Sequence, residues 1–326
     1  MKQKKGMKKK GKQKKQRSCT KTTKKCRNSR GVCVSKKQSS CATVPIDSLC
    51  LGGCTCCIGR AYAKCQCGQE LAARIVGGSV VSPEHKYPWM VSLRQQNSHF
   101  CGGSLINDRY VLTAAHCVYV PKSKLKSEIK STKVALGDFN INSKADDIAK
   151  VTQKVDIKDI IIHENYNDKF NDDIALVKLK VPLDLTAYDE IKPVCLPSNR
   201  NQTYEDYDAI VMGWGMQDYD DWQSTAEELM EVNVPILSPK CPGKIPNKFD
   251  ITENMLCAGY KKGGKDACNG DSGGPLVVKE GSSFVQVGIV SFGFDCALPN
   301  TPGIYTRVTQ YIDWIAENTK DALSCA

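Results

Sequence analysis

From residue 75 onward, hydrophobic side chains come in short runs that are broken at close intervals by turn residues. Residues 133–139, 174–180 and 284–292 are rich in β-branched residues and are bounded by Gly, Pro, Asn or Asp, which is typical of strands. Many short strands in one long domain predict paired β-barrels. The last stretch differs, because Val308, Tyr311, Ile312 and Ile315 recur at helical spacing and predict a C-terminal helix.

The first 74 residues follow a different pattern. Residues 1–17 contain ten Lys or Arg and no apolar side chain except two Met, so we expect a disordered tail. Residues 18–67 hold ten cysteines and few large apolar residues, which predicts a small segment held together by disulfides. Residues 68–74 connect this segment to the main domain, residues 75–326.

Cysteine content and charge limit the function classes. Eighteen cysteines in 326 residues indicate disulfides and an oxidising, extracellular compartment, since zinc ribbons would need separated pairs of C-x-x-C units. No apolar run reaches the roughly 20 residues of a membrane helix, and residues 1–17 do not form an evident signal peptide. Residues 1–74 have a net charge of +18 and the remainder −7, which indicates two parts with different roles.

Three segments of the main domain contain residues that can form a nucleophilic site. They are residues 112–117 (LTAAHC), 171–176 (NDDIAL) and 270–275 (GDSGGP), which hold His116, Asp173 and Ser272. The segments and their order closely resemble the chymotrypsin/trypsin serine proteases, and the resemblance covers residues 75–326. It implies an all-β fold of two antiparallel six-stranded barrels with a C-terminal helix, and a serine endopeptidase activity that needs no cofactor.

The resemblance assigns each residue a role. Ser272 is the nucleophile, and His116 is the base that accepts its proton, because a serine hydroxyl is a weak nucleophile at neutral pH. Asp173, rather than the adjacent Asp172, is expected to orient the imidazole and stabilise its cation. The backbone N–H groups of Gly270 and Ser272 are expected to form the oxyanion hole.

A zymogen switch is also implied, because residues 72–78 (AARIVGG) match the family's activation site. Cleavage after Arg74 would free the ammonium group of Ile75, which would form a buried ion pair with Asp271. That pair would order the oxyanion loop and the substrate pocket. The Arg at the cut indicates that the activator is a trypsin-like protease, either another enzyme or this one.

The specificity pocket is the next feature that the resemblance implies. Asp266 matches the pocket floor, where an acid selects Arg or Lys, although a surface Asp in a loop is the alternative. Gly293 and Gly303 match the pocket walls, and Ser291 is expected to offer backbone bonds to the substrate strand. Phe292 stands where the family usually has Trp.

The resemblance further implies the disulfides Cys101–Cys117, Cys241–Cys257 and Cys268–Cys296. Cys195 lacks a partner within the domain, and Cys67 is the nearest candidate in the front segment. Cys325 remains open, either to a front cysteine or to another chain. Ala209 and Val278 occupy the two ends of a bridge that is common in the family, so both halves of that bridge are absent together.

Weaker signals allow several interpretations. The cysteine-rich segment loosely resembles the clip-like modules of invertebrate cascade proteases. The basic tail is either a solvated extension or a site for sulfated glycans or anionic surfaces, whereas nucleic-acid binding is not expected without interleaved aromatic residues.

Two weaker signals lie in the main domain. Asp138 and Asp147 fall in a loop that binds calcium in some relatives, although a solvated loop is the alternative. Asn201 begins a glycosylation sequon.

Together these features predict a secreted trypsin-like zymogen that hydrolyses peptide bonds after Arg or Lys. Its expected partners are protein substrates, an activating protease and protease inhibitors. Two alternatives assign the main role to the front segment. In one, the chain is a catalytically silent homologue that acts by binding, and in the other the front segment is an antimicrobial or adhesion module.

Overall fold

The computed structural model describes residues 65–71, 79–167, 169–246 and 249–325, together with the backbone of two strands nearer the N-terminus. These are β1 (Val32–Ser35) and β2 (Cys54–Cys57), which pair in antiparallel fashion. The basic tail, most of the cysteine-rich segment and the bond between Arg74 and Ile75 lie outside the described residues. The chain divides into two units, residues 1–64 and 65–326, and the second contains the site.

The first strand of the second unit is β3 (Ser79–Val80), and the next six strands form a closed antiparallel barrel in the order β4-β5-β6-β9-β8-β7. These are β4 (Met90–Gln95), β5 (Ser98–Leu105), β6 (Tyr110–Thr113), β7 (Thr132–Leu136), β8 (Gln153–Ile162) and β9 (Ala175–Leu179). The β4–β5 hairpin turns at Gln96 and Asn97, whose φ angles are 49° and 72°. Positive φ at both positions suits a two-residue turn between twisted strands.

Six further strands and β3 form a seven-stranded sheet in the order β12-β15-β14-β13-β10-β11-β3. The six are β10 (Asp208–Gly213), β11 (Met230–Pro235), β12 (Met255–Ala258), β13 (Pro275–Glu280), β14 (Ser283–Phe292) and β15 (Gly303–Arg307). A bridge between Ile236 and Ala258 brings the ends of β11 and β12 together, which curls these six strands into the second half of the fold. The predicted all-β class is therefore confirmed, with β3 as an added edge strand.

Three short helices lie in the described part of the second unit: α1 (Ala115–Val118), α2 (Lys122–Ser131) and α3 (Ile312–Asn318). The predicted C-terminal helix is α3, which a 3₁₀ turn at Val308–Tyr311 precedes. The sequence pattern did not indicate α2, which has no side-chain cap at its N-terminus. Among the described residues, no helix is long and apolar enough to cross a membrane.

Five disulfides join the ten cysteines of the second unit, and its described residues include no free cysteine. They are Cys65–Cys325, Cys67–Cys195, Cys101–Cys117, Cys241–Cys257 and Cys268–Cys296. The sequence left the partner of Cys325 open, and the structure assigns it to Cys65. Ala209 and Val278, which occupy the ends of the absent bridge, are buried partners on adjacent strands.

One hydrophobic core cluster spans the two halves and includes Trp89 and Trp214, and two further clusters lie within the second half. Strand ends and the loops that follow them meet beside this core. His116 lies just after β6, Asp173 just before β9 and Ser272 just before β13. The fold thereby gathers residues that are far apart in sequence at one cleft.

Candidate active site

Asp173 and His116 form a tight pair at the base of the cleft. The Asp173 side chain is fully buried, and its Oδ2 accepts a hydrogen bond from His116 Nδ1 at 2.7 Å. Its Oδ1 accepts the backbone N–H of His116 at 2.9 Å, and Ser291 Oγ donates to Oδ2 at 2.5 Å. These hydrogen bonds fix the imidazole with Nε2 directed away from the carboxylate.

Asp172, the neighbouring acid, faces a different part of the molecule. Its carboxylate accepts hydrogen bonds from Tyr311 Oη at 2.7 Å and from Asn254 Nδ2 at 3.0 Å. A φ of 56° at Asp172 turns the chain between the two carboxylates, so that they point to opposite sides. The contact with His116 therefore distinguishes Asp173 from Asp172 on geometry as well as on motif.

Ser272 lies on a loop that both halves of the fold hold in place. The backbone N–H of Gly102 donates to the Ser272 carbonyl at 2.8 Å, and that of Gly273 donates to the Val290 carbonyl at 2.8 Å. Ser272 and His116 line the same pocket. Within the described residues Ser272 Oγ makes no hydrogen bond, and His116 Nε2 lies 3.8 Å from Cys117 Sγ. Such catalytic contacts often tighten only when substrate binds.

Gly270 takes a backbone conformation that favours glycine, with a φ of 99°, and a Cβ there would lie 3.0 Å from Gly215 Cα. Its carbonyl accepts a hydrogen bond from His99 Nε2 at 2.9 Å. Ser92 Oγ bonds the other ring nitrogen of His99 at 2.9 Å, and Arg94 Nε donates to that hydroxyl at 3.1 Å. Burial lowers the pKa of His99, so a neutral ring holds the glycine in place.

Asp271 is a buried acid whose hydrogen-bond donors are uncharged. Its carboxylate accepts the backbone N–H groups of Gly215 at 2.8 Å and Cys268 at 2.9 Å. Burial raises the pKa of Asp271 to about 6, although these two hydrogen bonds lower it. No ion pair involves Asp271 within the described residues, which do not include Ile75.

Asp266 lines a pocket of about 290 Å³ together with Ser272 and His116. Its carboxylate accepts the backbone N–H groups of Ala267 at 2.8 Å and Ala297 at 3.3 Å. Burial is the main cause that raises the pKa of Asp266 to about 7. A positive charge in this pocket would relieve the cost of a buried carboxylate.

Two glycines keep this pocket open. A Cβ at Gly303 would lie 2.6 Å from Asp266 Oδ1 and would fill the space above the carboxylate. A Cβ at Gly293 would meet only the Asp295 carbonyl, at 3.4 Å, so it would project toward the pocket space. Both positions lie in the pocket lining, as the sequence comparison implied.

An aromatic cluster flanks the pocket. Phe292 stacks between Phe170 and Phe249, with ring centroids 5.1 and 5.7 Å away, and Phe294 packs against Phe249 at 4.8 Å. The Phe170 ring also lies edge-on to the imidazole of His116 at 5.7 Å. Phe292, at a position where the family usually has Trp, thus belongs to an extended apolar surface beside the Asp173–His116 pair.

Three carboxylates on one loop could hold a cation away from the cleft. One oxygen each of Asp138, Asp146 and Asp147 lies within 4.8 Å of the others. Asp138 Oδ1 and Asp146 Oδ1 are buried without a hydrogen-bond partner, whereas Asp138 Oδ2 pairs with Arg94 at 2.7 Å. Burial raises the pKa of Asp138 to about 6. Oxygen ligands of this kind fit Ca²⁺.

Sequence reasoning missed several residues that the fold brings to the cleft. His99 lies 171 positions before its partner Gly270, and the aromatic cluster joins segments from both halves of the fold. Tyr219 and Asp295 also line the pocket. No local motif marks any of them, because their positions depend on packing between distant segments. Arg74 and Ile75, the proposed activation residues, lie outside the described residues.

A comparison with protein families identifies the family of the main domain. The family model described as Trypsin matches residues 75–315, which is about three quarters of the chain. The match begins at the predicted activation site and spans the Asp173–His116 pair, the pocket residues and the loop that contains Gly270 and Ser272.

Proposed function

Because this chain belongs to the trypsin family of serine proteases, we propose that it is a secreted zymogen of an endopeptidase that cleaves after Arg or Lys. One observation carries the proposal. A buried Asp173–His116 pair and Ser272 line the same pocket as Asp266, a carboxylate with no cationic partner among the described residues. The arrangement combines a base, a nucleophile and a site for a positive side chain.

The proposed reaction is acyl transfer to water. Ser272 Oγ attacks the scissile carbonyl as His116 Nε2 accepts its proton, and the N–H groups of Gly270 and Ser272 stabilise the oxyanion. His116 then protonates the leaving amine, which leaves an acyl-enzyme. A water molecule, deprotonated by His116, releases the acid product and regenerates the Ser272 hydroxyl. Asp173 stabilises the imidazolium in both steps.

Asp266 would select the substrate. The pKa of about 7 for the unliganded carboxyl reflects the cost of a buried charge, and an Arg or Lys side chain in the pocket would lower that pKa. A neutral apolar side chain would leave the same charge uncompensated. We therefore expect discrimination against aromatic substrates as well as preference for basic ones.

Activation would use the second buried acid. Asp271 has two backbone donors and no cation in the described chain, so an ammonium group released at Ile75 would find a site of opposite charge. Export is supported by the absence of free cysteines in the described residues. The proposed partners are substrate proteins, an activating trypsin-like protease, inhibitors and, for the basic tail, sulfated glycans.

Hydrolysis of matched Arg and Phe peptides tests this function. The full-length chain is assayed before and after treatment with immobilised trypsin, which is then removed, and Ser272→Ala treated in the same way controls for carry-over. We expect activity on the Arg peptide only, together with a new N-terminus at Ile75, and none in the variant. A new Ile75 terminus without activity would contradict the proposal and favour the binding-protein alternative.

Calcium binding by the three-carboxylate loop can be tested through thermal stability. Millimolar Ca²⁺ is expected to raise Tm by about 2–4 °C, because a ligand at ten times its Kd adds roughly 1.4 kcal/mol. Asp147→Asn should remove most of this shift, since Asp147 contributes one of the converging oxygens. Mg²⁺ at the same concentration is the ionic-strength control. An equal Ca²⁺ shift in the variant would contradict this assignment.

A further inference from the structure

Asp295 and Tyr219 form a wall at the mouth of the specificity pocket. Both line the 290 Å³ pocket that contains Asp266, and both also line an adjoining cavity of about 670 Å³ that contains Asp271 and shares Asp266 with the pocket. They therefore lie between the two spaces. The two residues come from different loops, one before the 3₁₀ turn at Trp222–Ser224 and one just after β14.

The two side chains interact at this wall, because the Asp295 carboxylate raises the pKa of the Tyr219 hydroxyl. Asp295 has a φ of 63°, a left-handed conformation that Asp tolerates better than most residues. An exposed carboxylate thus lies in the lining of the substrate site.

The charge of Asp295 is not balanced nearby. Within the described residues no ion pair involves Asp295 or the loop acids Asp218 and Asp220. Lys265 lines the larger cavity, but its ammonium lies over the ring of Tyr260, 5.8 Å from the centroid. The pocket therefore has a carboxylate at its floor, Asp266, and a second one at its mouth.

The pairing of the substrate strand with the enzyme indicates which substrate side chain lies near Asp295. If the substrate strand pairs antiparallel with residues 291–293, the cleaved Arg lies opposite Ser291 and the residue two positions earlier lies opposite Gly293. Side chains two apart on a strand point to the same face, roughly 6.6 Å from each other. The earlier side chain is therefore directed to the side of the chain where the pocket opens, close to Asp295.

We propose that Asp295 makes this enzyme prefer a second Lys or Arg two positions before the cleaved residue. The inference rests on the proposed function, because it assumes that Arg or Lys occupies the pocket above Asp266. Preferred substrates would contain the pattern basic–any–basic immediately before the cut. The loop acids would add a general attraction for positive segments, which salt would weaken.

A series of three peptides tests the proposal. Each ends in Ala-Arg before the cleaved bond, and the preceding residue is Lys, Gln or Glu. For the activated wild type we expect kcat/KM for Lys to exceed that for Gln by about threefold to fivefold, the range of a favourable exposed ion pair, with Glu lowest. Asp295→Asn should reduce the Lys/Gln ratio to near one, and Asn suits the left-handed conformation equally well.

Two further variants separate the wall from the general charge of the loop. Asp220→Asn removes the same charge next to Tyr219 but from a residue outside the specificity pocket, so it should leave the Lys/Gln ratio largely intact. Tyr219→Phe keeps the carboxylate of Asp295 and should also leave most of the ratio intact, because the attraction depends on that charge. A wild type without preference, or an Asp295→Asn variant that keeps it, would overturn the inference.

Binding distinguishes a failure of this inference from a failure of the proposed function. The same peptides, labelled with a fluorophore, are titrated with cleaved Ser272→Ala and measured by anisotropy. Cleavage of all three peptides at equal rates and equal affinities would contradict the role of Asp295 but support the protease. Tighter binding of the Lys peptide without any cleavage by the wild type would support the role of Asp295 but contradict the protease activity.

Discussion

Asp173→Asn is expected to lower kcat of the activated protein by about four orders of magnitude, the drop characteristic of this family. Asp173 Oδ2 accepts the Nδ1–H of His116, and the carboxylate also accepts Ser291 Oγ and the backbone of His116. An amide NH₂ at that place cannot accept the ring proton, so the other tautomer is favoured. His116 Nε2 would then carry hydrogen and could not accept the proton of Ser272.

Asp172→Asn is the matched control for this prediction. Asp172 is also buried and lies one position away, but it contacts Tyr311 and Asn254 rather than His116. We expect Asp172→Asn to lower the free energy of unfolding by about 1–3 kcal/mol, as loss of a buried charged hydrogen bond does, and to keep kcat within severalfold. Equal loss of kcat in both variants would contradict the assignment of Asp173 as the partner of His116.

Asp271→Asn is expected to abolish the activity that cleavage at Arg74 produces. Without the carboxylate, the new ammonium group would have no partner at this site, and burying it unpaired is unfavourable. The measurement is kcat/KM after cleavage, with N-terminal sequencing to show that Ile75 has been released. We expect a loss of at least a hundredfold. Activity close to that of the cleaved wild type would contradict a role for Asp271 in the switch.

The same variant should change the pH dependence of stability in the uncleaved chain. The folded pKa of Asp271 is about 6 against an ordinary value of 3.8, so between pH 4 and 6 the folded state binds more protons than the unfolded one. Stability is therefore lost as pH rises through this window. Two pKa units correspond to about 3 kcal/mol. Urea unfolding at pH 4 and pH 7 should show a loss that is smaller by about this amount in Asp271→Asn than in wild type, because Asp266 and Asp138 titrate in the same window in both proteins.

Much of the fold and of the site could be predicted, because the decisive information is local. The predicted strands at 133–139, 174–180 and 284–292 correspond to β7, β9 and β14, and the C-terminal helix is present. Their hydrophobic patterns set their buried faces directly. The residues proposed for catalysis and for the pocket floor lie in segments whose motifs are continuous in sequence.

What could not be predicted depends on contacts between distant segments. The extra edge strand β3 forms only because β11 offers it a partner. The helix α2 contains a Lys at every fourth position, from Lys122 to Lys130, and Leu125 and Ile129 pack it against the core. Such like-charged spacing disfavours an isolated helix, so tertiary packing decides its conformation.

The two disulfides at the start of the second unit bear on where the active enzyme would be found. Cys65–Cys325 and Cys67–Cys195 each connect the chain before Arg74 to the chain after it. Cleavage at Arg74 would therefore yield two polypeptides in a fixed one-to-one ratio, and either bond alone would prevent their separation. Any surface that captures residues 1–64 would also retain the catalytic part, at an effective concentration set by the tether rather than by diffusion.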